Sequence, residues 1–235
     1  MLELKKAGLD SVAISLDGSN YKIYSKIRKV SKKIYNKVLK TIKTCIELGF
    51  YTKVNTVAFT SNMNDIPNIT NFCIKNRVNE HGIYYFTPIG RGSSGNELSI
   101  EPIRWINFIR KNLLKYAKKI KISIEVPLIE KTFAKETGCI FEEDPFHLQI
   151  LPNGNVYPCA ILASYNQPLA NLHKTSIKKI WDNQKLLGDY CKKIYRLFND
   201  FNNSCVNFSN FKIKRYSKKY KFVCPLRKFL VEELK

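Results

Sequence analysis

The hydrophobic positions of this chain follow two alternating spacings over the first 126 residues. Short runs rich in β-branched and aromatic residues are typical of buried strands. Between them, apolar residues recur every three or four positions, as at Ile34, Val38, Leu39, Ile42 and Ile46, which is typical of amphipathic helices. The pattern predicts strands over 11–17, 51–59, 82–89 and 120–126, and helices over 32–49, 64–76 and 101–119.

This alternation predicts an α/β fold in which parallel strands are joined by crossover helices. In such sheets, ligands bind at the carboxyl ends of the strands. The predicted strands end at Asp17-Gly18, Thr60-Ser61 and Gly90-Arg91-Gly92. The sequence therefore predicts ligand-binding loops at these three places.

The pattern changes after Pro127. The run LQILPNGNVYPCAIL, residues 148–162, contains two apolar segments separated by Asn153-Gly154, and both residue types tolerate the positive φ of a hairpin turn. A short helix is predicted over 176–187, and a basic tail that carries cysteines follows it. We therefore predict a first domain over 1–127 and a small α+β domain over 128–235.

The chain of 235 residues has a net charge of +21. An excess of this size favours a polyanionic partner. A second interpretation is codon bias, because Lys, Ile, Asn and Tyr are abundant together and the lysines scatter along helix faces. No run approaches the ~18 apolar residues that a membrane helix needs. The N-terminus does not resemble a signal peptide, so a cytoplasmic location without membrane association is expected.

Two of the seven cysteines stand in an ordered pattern around the predicted hairpin. Cys139, Gly154 and Cys159 form the spacing C-x14-G-x4-C. A hairpin turn brings its two cysteines to one end of a two-stranded ribbon. Soft thiolates held in this way suit an iron–sulfur cluster or zinc.

At these residues the chain resembles the C-terminal portion of a radical SAM enzyme with a SPASM or Twitch auxiliary iron–sulfur domain. The spacing over 139–159 fits the start of that domain, and LANLHKTSIKKIWDN resembles its following segment. Upstream, GLDSVAISLDGSNYKIYSKIRKV is similar to the fourth strand and following loop of the radical SAM barrel. The resemblance implies a partial (β/α) radical SAM barrel followed by the auxiliary domain.

The resemblance also implies residues that hold S-adenosylmethionine. Ser15 and Arg28 stand where relatives hold its amino and carboxylate groups, and Asn55 stands where a fifth-strand Asn contacts it. An arginine suits a carboxylate because its guanidinium binds it in a bidentate way. The other interpretation is that Ser15 packs in a strand and Arg28 is a solvated loop residue.

The chain departs from the family in one defining respect. The C-x3-C-x2-C motif, whose thiolates hold the cluster that reduces S-adenosylmethionine, does not occur among its cysteines. The chain is therefore expected to be inactive without a cluster-bearing N-terminal half. That half is a separate partner chain, or the gene is truncated, its start misassigned or the catalytic half lost.

The auxiliary clusters also depart from the family pattern. The resemblance implies at most one [4Fe–4S] cluster, bound by Cys139, Cys159 and Cys205, with Cys224 or Cys191 as fourth ligand or with a site open to substrate. Cys45 and Cys73 lie among apolar neighbours on predicted helices and are expected in the core. His81, His147 and His173 show no metal-ligand spacing.

Two functions follow from these observations. The first is an iron–sulfur part of a radical SAM enzyme that modifies a peptide, a protein or a small metabolite. The second is a non-catalytic basic module, or a truncated remnant, that binds a leader peptide, nucleic acid or a partner enzyme. Nucleic acid is the less favoured partner, because the lysines form no tract interleaved with aromatic residues.

Overall fold

The computed structural model describes most of the first 130 residues and shorter stretches beyond them. The described residues are 1–88, 92, 95, 98–130, 148–158, 163, 168–183, 185–186, 189–190, 220–222 and 228–230. They belong to two compact units, the first drawn from 1–86, 95–126 and 228–235 and the second from 87–94 and 127–227. Across this part of the chain, no helix is long and apolar enough to cross a bilayer.

Strands and helices alternate through the first unit. The described strands are β1 (Ser11–Ser15), β2 (Tyr51–Ala58), β3 (Glu80–Tyr85), β4 (Lys121–Glu125), β5 (Leu128–Glu130), β6 (Gln149–Ile150), β7 (Asn155–Tyr157), β8 (Ala170–Asn171), β9 (Tyr220–Phe222) and β10 (Lys228–Leu230). The main helices are α1 (Leu2–Lys6), α2 (Tyr21–Arg28), α3 (Lys32–Glu47), α4 (Ile66–Lys75), α5 (Pro102–Asn112) and α6 (Ile177–Asp182). Single 3-10 turns cover Met63–Asp65 and Leu114–Tyr116.

The predicted α/β fold is confirmed in the first unit. Its sheet has the order β1-β2-β3-β4-β10, with β1 to β4 parallel and β10 antiparallel to β4. Helices α2 and α3 connect β1 to β2, α4 connects β2 to β3, and α5 lies between β3 and β4. Crossover helices of this kind are what parallel pairing requires.

The register gives the sheet one apolar and one polar face. Side chains alternate along a strand, and paired residues of parallel strands project to the same side. Val54, Ile83 and Ile124 are almost fully buried on the face where α3 and α4 pack. Asn55 pairs with Gly82 on the other face. The apolar face therefore belongs to the helix-covered core, and polar groups collect on the opposite side.

Helix α2 corrects the prediction of a loop after the first strand. Asn20 caps it, because its side chain accepts a hydrogen bond from the Ile23 N–H at 3.1 Å. Tyr24 is buried and its ring centre lies 5.2 Å from that of Tyr35 on α3. Packing against α3 thus stabilises a helix of only eight residues, which is too short to be stable by itself. Arg28, interpreted above as a loop residue, lies in its last turn.

Helix α5 also ends earlier than the sequence predicts. The predicted helix runs to residue 119, whereas the α-helix stops at Asn112 and a 3-10 turn follows. The Asn112 amide donates to the Phe108 carbonyl at 3.1 Å, and Leu113 adopts φ −106°. Side-chain hydrogen bonds of this kind compete with continued helix.

In the second unit, the predicted hairpin is confirmed. β6 and β7 pair antiparallel, and Gly154 in the connecting turn has φ +77°. β8 extends this ribbon to three strands, and β5 pairs with β9 in a separate two-stranded ribbon. A small core of Val156, Leu169, Ile180 and Tyr190 lies in this unit. Helix α6 is shorter than the predicted 176–187.

His81, on β3, links β2 to α4 inside the core. It is fully buried, with Nε2 2.9 Å from the Thr56 hydroxyl and Nδ1 3.1 Å from the Thr70 hydroxyl. Thr56 donates to the Leu16 carbonyl at 2.7 Å, so its hydroxyl accepts from His81. The Thr70 hydroxyl also lies 3.0 Å from the Ile66 carbonyl, but a neutral ring carries one N–H only. We assign that proton to Nε2, because the Thr56–Leu16 hydrogen bond is the shorter of the two, and Thr70 then donates to Nδ1. Burial, assisted by the Lys53 charge, lowers the pKa of His81 to about 3.

We predict that His81 stays neutral with its proton on Nε2 throughout pH 5 to 8. Long-range ¹H–¹⁵N spectra of the histidine rings measure this directly. His173 provides the internal comparison, and a His173→Gln variant assigns its signals. A His81 ring that gains a second proton in this range, or that carries its proton on Nδ1, would contradict the hydrogen-bond assignment.

Candidate functional site

Ser15 and Asn55 lie side by side at the carboxyl end of the parallel sheet. They are direct partners in the register between β1 and β2, and Asn55 pairs in turn with Gly82. Ser15 is exposed and Asn55 is half-buried. Both belong to the polar face, at the edge where parallel sheets bind ligands.

The side chain of Asn55 carries an unusual buried acceptor. Its Oδ1 is shielded from solvent and receives no hydrogen bond from any described residue. Buried polar atoms nearly always have a partner, so an orphaned acceptor is a position where a ligand donor would bind. Gly82 provides the room beside it, because a Cβ there would lie 2.9 Å from Oδ1.

Arg28 reaches the same edge through Asp17. Its Nε donates to Asp17 Oδ2, and the Arg28 side chain remains 38% exposed whereas Asp17 is 1% exposed. The second carboxylate oxygen, Oδ1, accepts from the Val57 N–H at 2.8 Å. Asp17 therefore links the end of β1, the end of β2 and the last turn of α2.

The loop after β1 is fixed by further hydrogen bonds. Asn62 donates to the carbonyls of Asp17 at 3.0 Å and Val57 at 2.9 Å. Asp65 accepts from the Ser19 N–H at 2.7 Å and from the Ser19 hydroxyl at 2.6 Å. This loop needs Gly18, since a Cβ there would lie 2.5 Å from the Tyr24 backbone nitrogen.

A charged network surrounds Lys53, which lies two residues before Asn55 on β2 and on the same face of the sheet. Lys53 donates to Glu80, and Ser123 donates to the same carboxylate at 2.7 Å. Lys121 lies 3.3 Å from the other carboxylate oxygen. Burial would raise the pKa of Glu80, but the hydrogen bonds from Lys53 and Ser123 outweigh it and lower the pKa to about 2. Glu80 is therefore ionised at neutral pH.

Gly82 allows Lys53 to cross the sheet. A Cβ at residue 82 would lie 2.5 Å from Lys53 Cε. The lysine therefore passes over Gly82, and its Nζ also lies 3.3 Å from the Ser123 hydroxyl on β4. This brings an ammonium group to the register level of Asn55.

The predicted cluster ligands lie outside the described residues. These are Cys139, Cys159, Cys191, Cys205 and Cys224, and Arg91 in the glycine-rich loop is also outside. Within the described part of the chain, no three His, Cys, Asp or Glu side chains are grouped to hold a metal ion. Cys45 and Cys73 are fully buried, as predicted, and burial raises the pKa of Cys73 to about 12.

Several residues of this edge went unrecognised at the level of sequence. The sequence places Asp17 in a predicted ligand-binding loop without a partner and Asp65 near the start of the helix over 64–76, and it indicates no role for Asn62, Lys53 or Glu80. The signal for Asp17 was its position directly after the strand that ends at Ser15. The long-range partners of the others lie 27 to 70 residues away in sequence, so no local pattern points to them.

Comparison with known families and structures matches both parts of the chain. Residues 1–73 match the radical SAM superfamily, and residues 139–210 match the SPASM family, an iron–sulfur cluster-binding domain. The chain therefore combines the segments of a radical SAM enzyme that has a SPASM auxiliary domain. These families imply iron–sulfur clusters and S-adenosylmethionine as cofactors.

The chain matches only part of the length of its individual relatives. The chain is 31% identical over 121 residues, 51% of this chain and 37% of the relative, to a probable GTP 3′,8-cyclase of Sulfurisphaera tokodaii. It is 39% identical over 72 residues, 30% of this chain and 24% of the relative, to a probable GTP 3′,8-cyclase of Methanocaldococcus jannaschii. The chain thus spans about a quarter to two fifths of these relatives.

A solved structure has a similar fold. The crystal structure of Streptococcus suis SuiB bound to S-adenosylmethionine aligns with a TM-score of 0.52 at 17% identity, covering 75% of this chain and 42% of that chain. This likeness agrees with a partial radical SAM barrel followed by an auxiliary domain. At this identity it concerns the fold alone.

Proposed function

We propose that the chain binds S-adenosylmethionine at the carboxyl ends of β1 and β2 and takes part in radical modification of a substrate. The observation that carries this proposal is the orphaned Oδ1 of Asn55 beside Ser15. S-adenosylmethionine offers an amino group and ribose hydroxyls as donors and a carboxylate as acceptor. The residues present fit these groups, since Asn55 supplies an acceptor, Ser15 a hydroxyl and Arg28 a cation.

Each residue has a distinct role in this proposal. The guanidinium of Arg28 binds the carboxylate through charge-assisted hydrogen bonds. Asn55 Oδ1 accepts from a ligand donor, and this replaces the hydrogen bond that it lacks in the described chain. Ser15 orients the ligand from the neighbouring strand. S-adenosylmethionine supplies radical chemistry when it is bound to a reduced [4Fe–4S] cluster.

The reducing cluster is proposed to be bound by a C-x3-C-x2-C motif outside these 235 residues, for example in a partner half, because none of the seven cysteines has that spacing. The substrate class in this proposal is a peptide, a protein or a small metabolite. The curated relatives are named as probable GTP 3′,8-cyclases, so GTP is the first small metabolite to test.

The proposal includes one auxiliary [4Fe–4S] cluster. Cys139, Cys159 and Cys205 are its proposed ligands, with Cys224 or Cys191 as the fourth. Thiolates in this number suit an iron–sulfur cluster. A cytoplasmic location, which the proposal also includes, keeps such thiolates reduced.

A second candidate function is supported by the surface of α2 and α3. Residues 18–46 contain eight lysines and Arg28 but no acidic residue, and all nine cationic side chains are exposed. Of these nine, Arg28 alone has an ion pair within the described chain. This basic helix pair is a candidate surface for an acidic segment of a peptide or protein.

Removing the orphaned acceptor tests the cofactor site. Asn55→Ala is expected to raise the Kd of the 235-residue chain for S-adenosylmethionine about tenfold, because one buried hydrogen bond is lost. Isothermal titration calorimetry measures the Kd. Asn36→Ala, on the exposed face of α3, is the matched control and should leave the Kd unchanged. No binding to the wild-type chain, or equal losses in both variants, would contradict the proposed site.

The auxiliary cluster is tested by anaerobic reconstitution with iron and sulfide. We expect about four irons per chain, lost in a Cys139→Ala/Cys159→Ala variant. A Cys45→Ala/Cys73→Ala variant removes two buried thiols and should keep its iron. Iron uptake that is the same in all three proteins would mean that the cysteine pattern no longer binds a cluster.

The basic helix pair is tested with a fluorescent acidic peptide, such as a run of glutamates, in a salt series. Exchange of Lys33, Lys37 and Lys40 for Gln should weaken binding and flatten its salt dependence. Lys111 and Lys119, replaced together, serve as control. Equal weakening in the control, or preference for single-stranded RNA over the peptide, would reject this candidate.

A further inference from the structure

Asp17 and Arg28 form a pair whose two members have different environments. Asp17 is 1% exposed, and both of its carboxylate oxygens accept hydrogen bonds, one from Arg28 Nε and one from the Val57 N–H. Arg28 is 38% exposed. A buried carboxylate with a hydrogen bond to each oxygen therefore holds the Nε side of a guanidinium whose side chain is partly exposed.

The geometry of the guanidinium makes this edge important. Arginine has five N–H donors in a fixed plane, and the contact with Asp17 uses Nε. The edge formed by the two terminal nitrogens can still bind a carboxylate in a bidentate way. Fixing Nε therefore fixes the plane and direction of the binding edge.

Asp17 itself is held rigidly. Its backbone carbonyl accepts from Asn62 at 3.0 Å, and its Oδ1 accepts from the Val57 N–H at 2.8 Å. Val57 lies two residues beyond Asn55 on β2, and Asp17 lies two residues beyond Ser15. The carboxylate thus fixes the position of Arg28 relative to the two strands that carry Ser15 and Asn55.

Helix α2 alone would not place the guanidinium with this accuracy. Arg28 lies in its last turn, and a long arginine side chain loses much rotamer freedom when it is fixed. An arginine without a partner would sample many rotamers at this helix end. A ligand would then have to order the side chain itself, and its affinity would fall.

Ionisation of Asp17 does not by itself stabilise the folded chain. Burial raises the pKa of Asp17, and the Arg28 charge and the Val57 N–H only partly offset that effect. A raised pKa in the folded chain means that ionising Asp17 costs more free energy in the folded state than in the unfolded state. Its stabilising contribution is present below the unfolded pKa and is lost as pH rises, so the ionised group lowers stability at neutral pH.

We propose that Asp17 is a positioning residue that preorganises Arg28 for the carboxylate of an amino-acid-bearing ligand. The inference rests on the proposed function, because it assumes that S-adenosylmethionine binds at this edge. Asp17 acts through Arg28 and contacts no ligand atom itself.

The test compares two ligands that differ by the amino-acid group. S-adenosylhomocysteine carries the carboxylate, and 5′-methylthioadenosine lacks it. In the 235-residue chain, Asp17→Asn is expected to weaken the binding of S-adenosylhomocysteine about tenfold, the factor for partial loss of one charge-assisted hydrogen bond. Its effect on 5′-methylthioadenosine should stay below about twofold, since that ligand makes no contact with Arg28.

Matched variants separate positioning from folding. Asp10→Asn removes the same charge at an exposed position before β1 and should leave both affinities unchanged. Arg28→Ala should give the same ligand-selective loss, and the double variant Asp17→Asn/Arg28→Ala should be no weaker than Arg28→Ala alone. Thermal unfolding of each variant checks that the fold is kept.

The hydrogen bond between Arg28 and Asp17 can also be measured without a ligand. In ¹⁵N-arginine-labelled protein, the Arg28 Nε–H should exchange slowly and shift when Asp17 is replaced by Asn, but not when Asp10 is replaced. An unchanged Nε–H signal in Asp17→Asn would overturn the positioning role.

The outcomes distinguish this inference from the proposed function. If wild-type chain binds neither ligand, the proposed cofactor site fails and the inference fails with it. If S-adenosylhomocysteine binds and Arg28→Ala weakens it while Asp17→Asn does not, the proposed site stands and the positioning role is overturned. An equal loss of affinity for both ligands in Asp17→Asn would also overturn the positioning role, because that pattern indicates a damaged fold.

Discussion

The parallel register of β1, β2 and β3 is the constraint on which the first unit depends. It aligns Ser15 with Asn55 and Asn55 with Gly82. A slip of one residue would exchange the faces, exposing Val54 and burying Asn55 against the helices. Since the helix-covered face is mainly apolar, with the hydrogen-bonded His81 and Thr56 among its aliphatic side chains, the hydrophobic effect favours one register. The polar groups at the carboxyl edge gain their arrangement from that same choice.

The order of strands and helices could be predicted because it depends on local periodicity. Helix α2 could not, since Gly18 and Asn20 are typical of loops and its stability comes from packing Tyr24 on Tyr35. β10 could not be predicted from the sequence either. It pairs with β4 across about a hundred residues of chain, and three residues carry no pattern that announces such a partner.

The candidate site divides in the same way. Ser15 and Asn55 were accessible from sequence because a family resemblance covers contiguous residues around them. The partner of Arg28 was not, since Asp17 reads as a turn residue until α2 brings the guanidinium back to it. The network of Lys53 and Glu80 depends on strand register, which a single sequence does not reveal.

Gly82 has a consequence for how the two sides of this unit tolerate change. Any side chain at that position would displace Lys53 and crowd Asn55, so one atom more would disturb a charge pair and an acceptor together. The outer lysines of α3 contact solvent and can be exchanged without such coupled losses. Substitutions of these surface lysines therefore leave the fold unchanged, whereas a side chain at Gly82 would disturb the fold and the candidate site together.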